Sequence, residues 1–149
     1  MIEFTQSEFM VEIEVPEDEL IISRTDLHGK IIYANETFCQ ISGYTQEELL
    51  GKPHSIVRHP DMPSAAFEDL WNTINKAGKQ WKGIVKNLRK DGGFYWVEAL
   101  VSGVYRSGKL VEYKSLRTPI TYETKLKYQR LYDKMRDENG ERVRKVIYT

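Results

Sequence analysis

Alternation of apolar and polar positions dominates both ends of this chain, and helical spacing dominates its middle. Residues 8–15 place Phe9, Val11, Ile13 and Val15 on one side of an extended run, with Met10, Glu12 and Glu14 on the other. Pro16 and the acids Glu17, Asp18 and Glu19 interrupt it, and a strand resumes over Leu20 to Thr25. His28-Gly29 is a turn signal, and Ile31 to Ala34 follows, so the two runs predict a β-hairpin. Asn35 is a good N-cap for a short helix through Phe38 and Ile41 to Gly43. Thr45 and Glu48 form a capping box for a second, closed by Gly51.

The stretch Gly51 to Pro63 carries three prolines in thirteen residues, which leaves room for one short helical turn at most. Within that stiff frame sit Arg58, His59 and Asp61, a density of polar chemistry that a plain solvated loop does not require. Ala65 to Lys76 then reads as a helix whose Ala66, Phe67, Leu70, Trp71 and Ile74 form one stripe, predicted to be buried. From Trp81 the chain predicts a three-stranded meander over 81–88, 94–105 and 110–117, with turns at Lys90–Gly93 and Arg106–Lys109. Thr121 to Asp137 is a charged helix with Tyr128, Leu131, Tyr132 and Met135 on one side, a narrow stripe that suits a partner or a sister chain. Residues 141–149 read equally as a short strand or a tail.

Length changes this picture little: 149 residues make one domain with a real core. The predicted division is an N-terminal cap over 1–19, a central domain over 20–118, and a C-terminal helix and tail over 119–149. Twenty-two basic and 22 acidic residues cancel, so the chain lacks the footprint of a nucleic-acid binder. Cys39 is the single cysteine, which excludes a disulfide framework and a thiolate zinc site within the chain. No signal peptide or membrane span is legible, so a cytoplasmic location is expected, with membrane contact only through a partner. Enzyme activity is not expected: no nucleophile stands beside a base, and no glycine-rich phosphate loop follows a strand.

The element order closes a five-stranded antiparallel sheet, an α+β fold with short helices on one face. Thr25-Asp26 with Gly29, Asn35 and Phe38, Ser42-Gly43-Tyr44, Glu47 to Gly51, and Lys90-Asp91-Gly92 before Tyr95-Trp96-Val97 together resemble a PAS domain over Leu20 to Thr118. Arg58-His59-Pro60-Asp61-Met62-Pro63, with Phe67, Trp71, Trp81, Asn87 and Arg89-Lys90, resembles the flavin-binding PAS sensor of bacterial aerotaxis and energy-taxis receptors. That resemblance implies a domain that holds FAD and reports redox state to a chemoreceptor module. It further implies a separate HAMP-type membrane transducer as partner, because the long receptors' membrane and methyl-accepting segments are absent here. A homodimer through the C-terminal helix is the other association expected.

An FAD site needs an apolar slot, donors for the diphosphate and a few directed hydrogen bonds. Arg58 is the expected diphosphate ligand, unless it pairs with Asp61 across the loop. His59 could donate or stack on the adenine, and Asp61 could orient Arg58 or accept from ribose hydroxyls. Phe67, Trp71 and Trp81 are core on pattern alone; the resemblance makes them pocket walls. Asn87 is the amide expected to re-orient as the ring gains a proton, shifting its strand and the outer sheet face. Asn35 is a helix cap first and a cofactor contact second. Two readings stand beside this one, a cofactor-free interaction module and a haem PAS using His54 or His59. A photoreceptor adduct is disfavoured because Cys39 lies on the first helix, away from the proline-framed segment.

Overall fold

The computed structural model describes residues 11–76 and 78–141. Strands β1 (Ile21–Thr25) and β2 (Ile31–Ala34) form the predicted hairpin, with the Asp26 carboxylate accepting from the amides of His28 and Lys30 inside its turn. Helix α1 (Glu36–Ser42) starts at Asn35, whose Oδ1 accepts from the Phe38 amide, and ends at Gly43 in the left-handed region. Helix α2 (Gln46–Leu49) is a single turn held by the Thr45–Glu48 capping box. A 3-10 turn (His54–Val57) is all the helix the prolines permit before α3 (Ser64–Ile74). Strands β3 (Gln80–Leu88), β4 (Phe94–Arg106) and β5 (Lys109–Thr118) are the meander, and α4 (Tyr122–Glu138) follows.

The strand order is β2-β1-β5-β4-β3 and every pairing is antiparallel, so the first hairpin joins the meander through β1 and β5. The inner face carries α1, α2 and α3. Under α1 and α2 it is filled by Ile21, Ile31, Ala34, Phe38, Leu49, Tyr95 and Val97. The N-terminal segment closes the same end: Ile13 donates to the Phe94 carbonyl at 2.8 Å and Val15 is buried, while residues 8–10 of the predicted alternation lie outside the described residues.

Two expectations are corrected. The α4 stripe, expected to seek a partner or a sister chain, packs on the outer face of its own sheet, where Tyr132 joins Met62, Ile84 and Trp96 in a second cluster. Tyr132 stacks on Trp96 at 6.4 Å and its hydroxyl donates to the Ile84 carbonyl, so a narrow aromatic stripe suffices for intramolecular docking. The α3 stripe, expected to be buried, is not: only Ile74 is buried, and Trp71 keeps 43 % of its surface exposed. Beneath the helix, Ile74 and Leu70 pack with Trp81, Ala99 and Tyr113 in a small cluster, and a cavity opens beside it.

A cavity between the third helix and the sheet

The floor of that space is the inner sheet face, and its residues are small or polar where a packed core would place large aliphatics. Ser23 and Thr25 on β1, Ala99 and Val101 on β4, and Tyr113, Ser115 and Arg117 on β5 line it, together with Trp81, Val85 and Asn87 on β3. The roof is Phe67, Leu70, Trp71 and Ile74 of α3 with His54, Ser55, Val57 and Arg58 of the proline-framed segment. The cavity measures about 300 Å³, open to solvent and lined mostly by apolar surface. That is the small end of the range of ligand sites, about 300–1,000 Å³.

Trp81 sets one end of it. The indole lies back over Gly83, where a Cβ would meet its ring at 2.3 Å, and its Nε1 donates to the Asp69 carboxylate on α3 at 2.8 Å. Gly83→Ala is therefore expected to displace the indole and destabilise the chain by about 1–3 kcal/mol. A urea midpoint and tryptophan emission equal to the parent's would contradict this account of Gly83.

Five of the predicted site residues, Arg58, Phe67, Trp71, Trp81 and Asn87, come together on this cavity. Arg58 stands at the mouth with its guanidinium over the Phe67 ring at 4.2 Å, and its backbone bridges to Asn87 on the free edge of β3. It does not pair with Asp61. An outer groove bordered by Arg58, Ser64, Phe67, Glu68, Trp71 and Asn72 adjoins the same mouth.

Three predicted residues stand elsewhere. His59 is 1 % exposed beside Phe94, and its Nδ1 accepts from the Asp61 amide at 3.0 Å. Burial, then the Lys86 charge, hold its pKa below the ordinary histidine range, so the ring is neutral at pH 7. Asp61 turns to the outer face and takes the Lys86 ammonium at 2.8 Å; burial disfavours its charge, but the Lys86 bond holds its pKa below normal. Asn35 is fully used in structure, accepting from the Phe38 and Ile22 amides and donating to the Leu20 carbonyl. The chain turns over β3 between Arg58 and Met62, whose Sδ accepts from the Lys86 amide, so residues only three apart from Arg58 face the opposite side.

Sequence reasoning missed the most unusual group. Arg117 is 2 % exposed, and its Nη2 donates to Ser23 Oγ at 2.6 Å and its Nη1 to His54 Nε2 at 3.1 Å. Its guanidinium also lies over the Phe38 ring at 4.4 Å. Among the described residues no carboxylate pairs with it, and its buried Nε has no partner. Burial lowers its pKa only to about 10, so it remains a cation at pH 7. His54 is pushed down to about 3, by burial first and by Arg117 second, and stays neutral. Its Nε2 accepts from Arg117. The walls thus contain Arg58, Lys114 and Arg117 and no Asp or Glu among the described residues. A cavity so charged favours an electron-rich or anionic ligand. Cys39, on α1, packs on the core and does not border it. The described residues contain no cluster of three metal-binding side chains and no helix long and apolar enough to cross a membrane.

A family model described as the PAS fold matches residues 31–117, and the chain belongs to that family. The chain is 48 % identical over 132 residues to the aerotaxis receptor of Escherichia coli K12, a match that covers 89 % of this chain and 25 % of the receptor. It spans about a quarter or less of the length of the curated relatives it matches. Among solved structures, the PAS domain of a protein from Colwellia psychrerythraea superposes with a TM-score of 0.62 at 26 % identity, covering 68 % of this chain and 86 % of that one. The dark structure of the blue-light photoreceptor Aureochrome1 LOV gives 0.64 at 24 % identity, over 80 % and 86 %.

Proposed function

We propose that this chain is a redox sensor that holds FAD in the cavity under α3 and reports the flavin's state to a chemotaxis transducer at the membrane. The observation that carries the reading is the cavity itself: apolar, flanked by two indoles, cationic at both Arg58 and Arg117, and without a carboxylate. The 48 % identity to the aerotaxis receptor supports it independently. A flavin, when bound, supplies reversible uptake of electrons and protons by its ring. At about 300 Å³ the cavity accepts a ring system but not a whole dinucleotide, so the diphosphate and adenosine fall to Arg58 and the outer groove with its exposed Trp71.

The chain's own residues then divide the work. Arg117 holds positive charge against the buried end of the ligand, and Ser23 and His54 fix its direction. Asn87, with an amide that donates or accepts, faces the cavity, while its neighbour Lys86 projects from the opposite face of the sheet to Asp61 and to Gln129 of α4. A displacement of β3 at Asn87 is thereby transmitted to the outer face, where the transducer would read it.

The test is gentle purification of the full chain followed by absorption spectroscopy and analysis of the nucleotide released on denaturation. Yellow protein releasing FAD supports the proposal, whereas release of FMN corrects the groove's role. Colourless protein that refuses added flavin returns the chain to a cofactor-free interaction module.

A further inference from the structure

Helix α4 is fastened along its length to three different parts of the molecule. At its start Lys125 binds Glu12 and Glu14 of the N-terminal segment. In the middle Tyr132 docks on the outer sheet face. Near its end Arg136, 5 % exposed, donates to the Asp61 carbonyl and to the Asp133 carboxylate. Just past the helix Glu141 reaches back to the roof of the cavity: its Oε2 accepts from the Ser64 amide at 3.1 Å and its Oε1 from Ser64 Oγ at 2.7 Å.

That last bond is chemically specific. Helix α3 opens on Pro63, which offers no side-chain oxygen to the first turn, so an exposed amide there depends on an acceptor from elsewhere. Glu141 supplies it from a position 77 residues later in the chain. A carboxylate at a helix N-terminus also faces the favourable end of the helix dipole. The Ser64 bonds first, and then the charges of Arg58 and Arg136, hold its carboxyl below the usual range. Arg136 at Asp61 and Glu141 at Ser64 therefore grip the two ends of the Asp61–Ser64 bend, and the same bend continues directly into Arg58 at the cavity mouth.

We infer that Glu141 is a strap: it fixes the first turn of α3 and the segment carrying Arg58 against the end of α4, so that filling of the cavity and docking of the α4 C-terminal turn are one coupled equilibrium. The inference rests on the cavity being a flavin site. Coupling of this kind is reciprocal: a ligand that steadies Arg58 and α3 tightens α4, and loosening α4 weakens the ligand by the same factor. It gives the site a route to the C-terminal helix that does not pass through the sheet.

The test is hydrogen exchange on the full chain and on Glu141→Ala, each with and without FAD, together with FAD titrations of both. The variant is expected to exchange about fivefold faster in the first turn of α3 and the last turn of α4, and to bind FAD about fivefold more weakly. FAD should slow exchange at the end of α4 in the parent and fail to do so in the variant. Parent-like exchange in Glu141→Ala, or equal slowing of α4 by FAD in both proteins, overturns the strap. A chain that takes up no FAD overturns the site reading and the coupling to occupancy with it; exchange in the flavin-free proteins then upholds or overturns the mechanical contact alone.

Discussion

Arg117→Met is expected to lower flavin affinity by roughly a hundredfold, about 3 kcal/mol, while leaving the flavin-free chain as stable as the parent or more so. The two halves of this result have the same cause. A guanidinium with 2 % exposure and no ion-pair partner among the described residues is an unfavourable feature of the empty fold, and apolar replacement of such groups is commonly neutral or stabilising. Its compensation inside the protein is a pair of bonds to Ser23 and His54 and the face of the Phe38 ring; Ser23 and His54 remain 3.0 Å apart and can satisfy each other once it is gone. What the substitution removes is the cation directed into the cavity. If Arg117 were only structural, Met would depress the melting temperature and any effect on flavin would follow from unfolding. Thermal melts of the flavin-free protein beside flavin titrations separate the two. Arg117→Lys, which keeps the charge and loses the planar fork, is expected to fall between them.

Acid is expected to unfold this chain earlier than its carboxylates alone require. His54 is neutral in the fold with a pKa of about 3, whereas in the unfolded chain it protonates near 6.5. Between those values the unfolded state binds more protons, so stability is fully present above about pH 6.5 and declines as pH falls toward 3. At about 1.4 kcal/mol per unit, His54 accounts for up to about 2 kcal/mol by pH 5. His59, lowered by burial and by Lys86, acts with the same sign. The lowered carboxylates of Asp26, Glu48, Asp61, Asp91 and Glu141 lose their contribution from about their ordinary pKa downward, so the decline between pH 6.5 and 5 belongs to the histidines and the two effects add below that. Urea midpoints at pH 7, 6 and 5 check this. A flat profile to pH 5 would mean that the two imidazoles are not held neutral as described. Replacing both with Gln should flatten the profile in that window.

The fold was legible because its signals are local and agree. Asn35 and Thr45 cap as their side chains predict, Gly43 turns left-handed, and the prolines at 53, 60 and 63 confine helix to one 3-10 turn. The cavity was legible only in part, since a helical stripe such as Phe67, Leu70, Trp71 and Ile74 looks the same whether it covers side chains or space. The signal lay in the strands opposite. Period-two reading puts Ser23 and Thr25 with Ile21, and Ser115 and Arg117 with Tyr113, on the inner face, and polar residues at core positions mark a site. Arg117, next to a strand end in Ser-Leu-Arg-Thr, reads instead as a solvated terminus unless that alternation is followed through. The placement of His59 and Asp61 was not legible for the opposite reason: adjacency to Arg58 in sequence does not survive the turn over the edge of β3, which carries them to the Lys86 side. The α4 stripe was too narrow to predict its own docking, because its partner, Trp96, lies on the outer face of a strand to which the sequence reading assigned no faces.

The three tryptophans make the decisive measurement direct, since Trp71 and Trp81 line the cavity and Trp96 lies on the outer face under α4. In a nitrogen-labelled full chain titrated with FAD, the indole N–H signals of Trp71 and Trp81 should shift in saturable fashion, and those of Ala99 and Val101 amides with them. Trp96 should move far less. Binding that perturbs Trp96 first, or saturation with the Trp71 and Trp81 indoles unmoved, would contradict a flavin seated between α3 and the sheet.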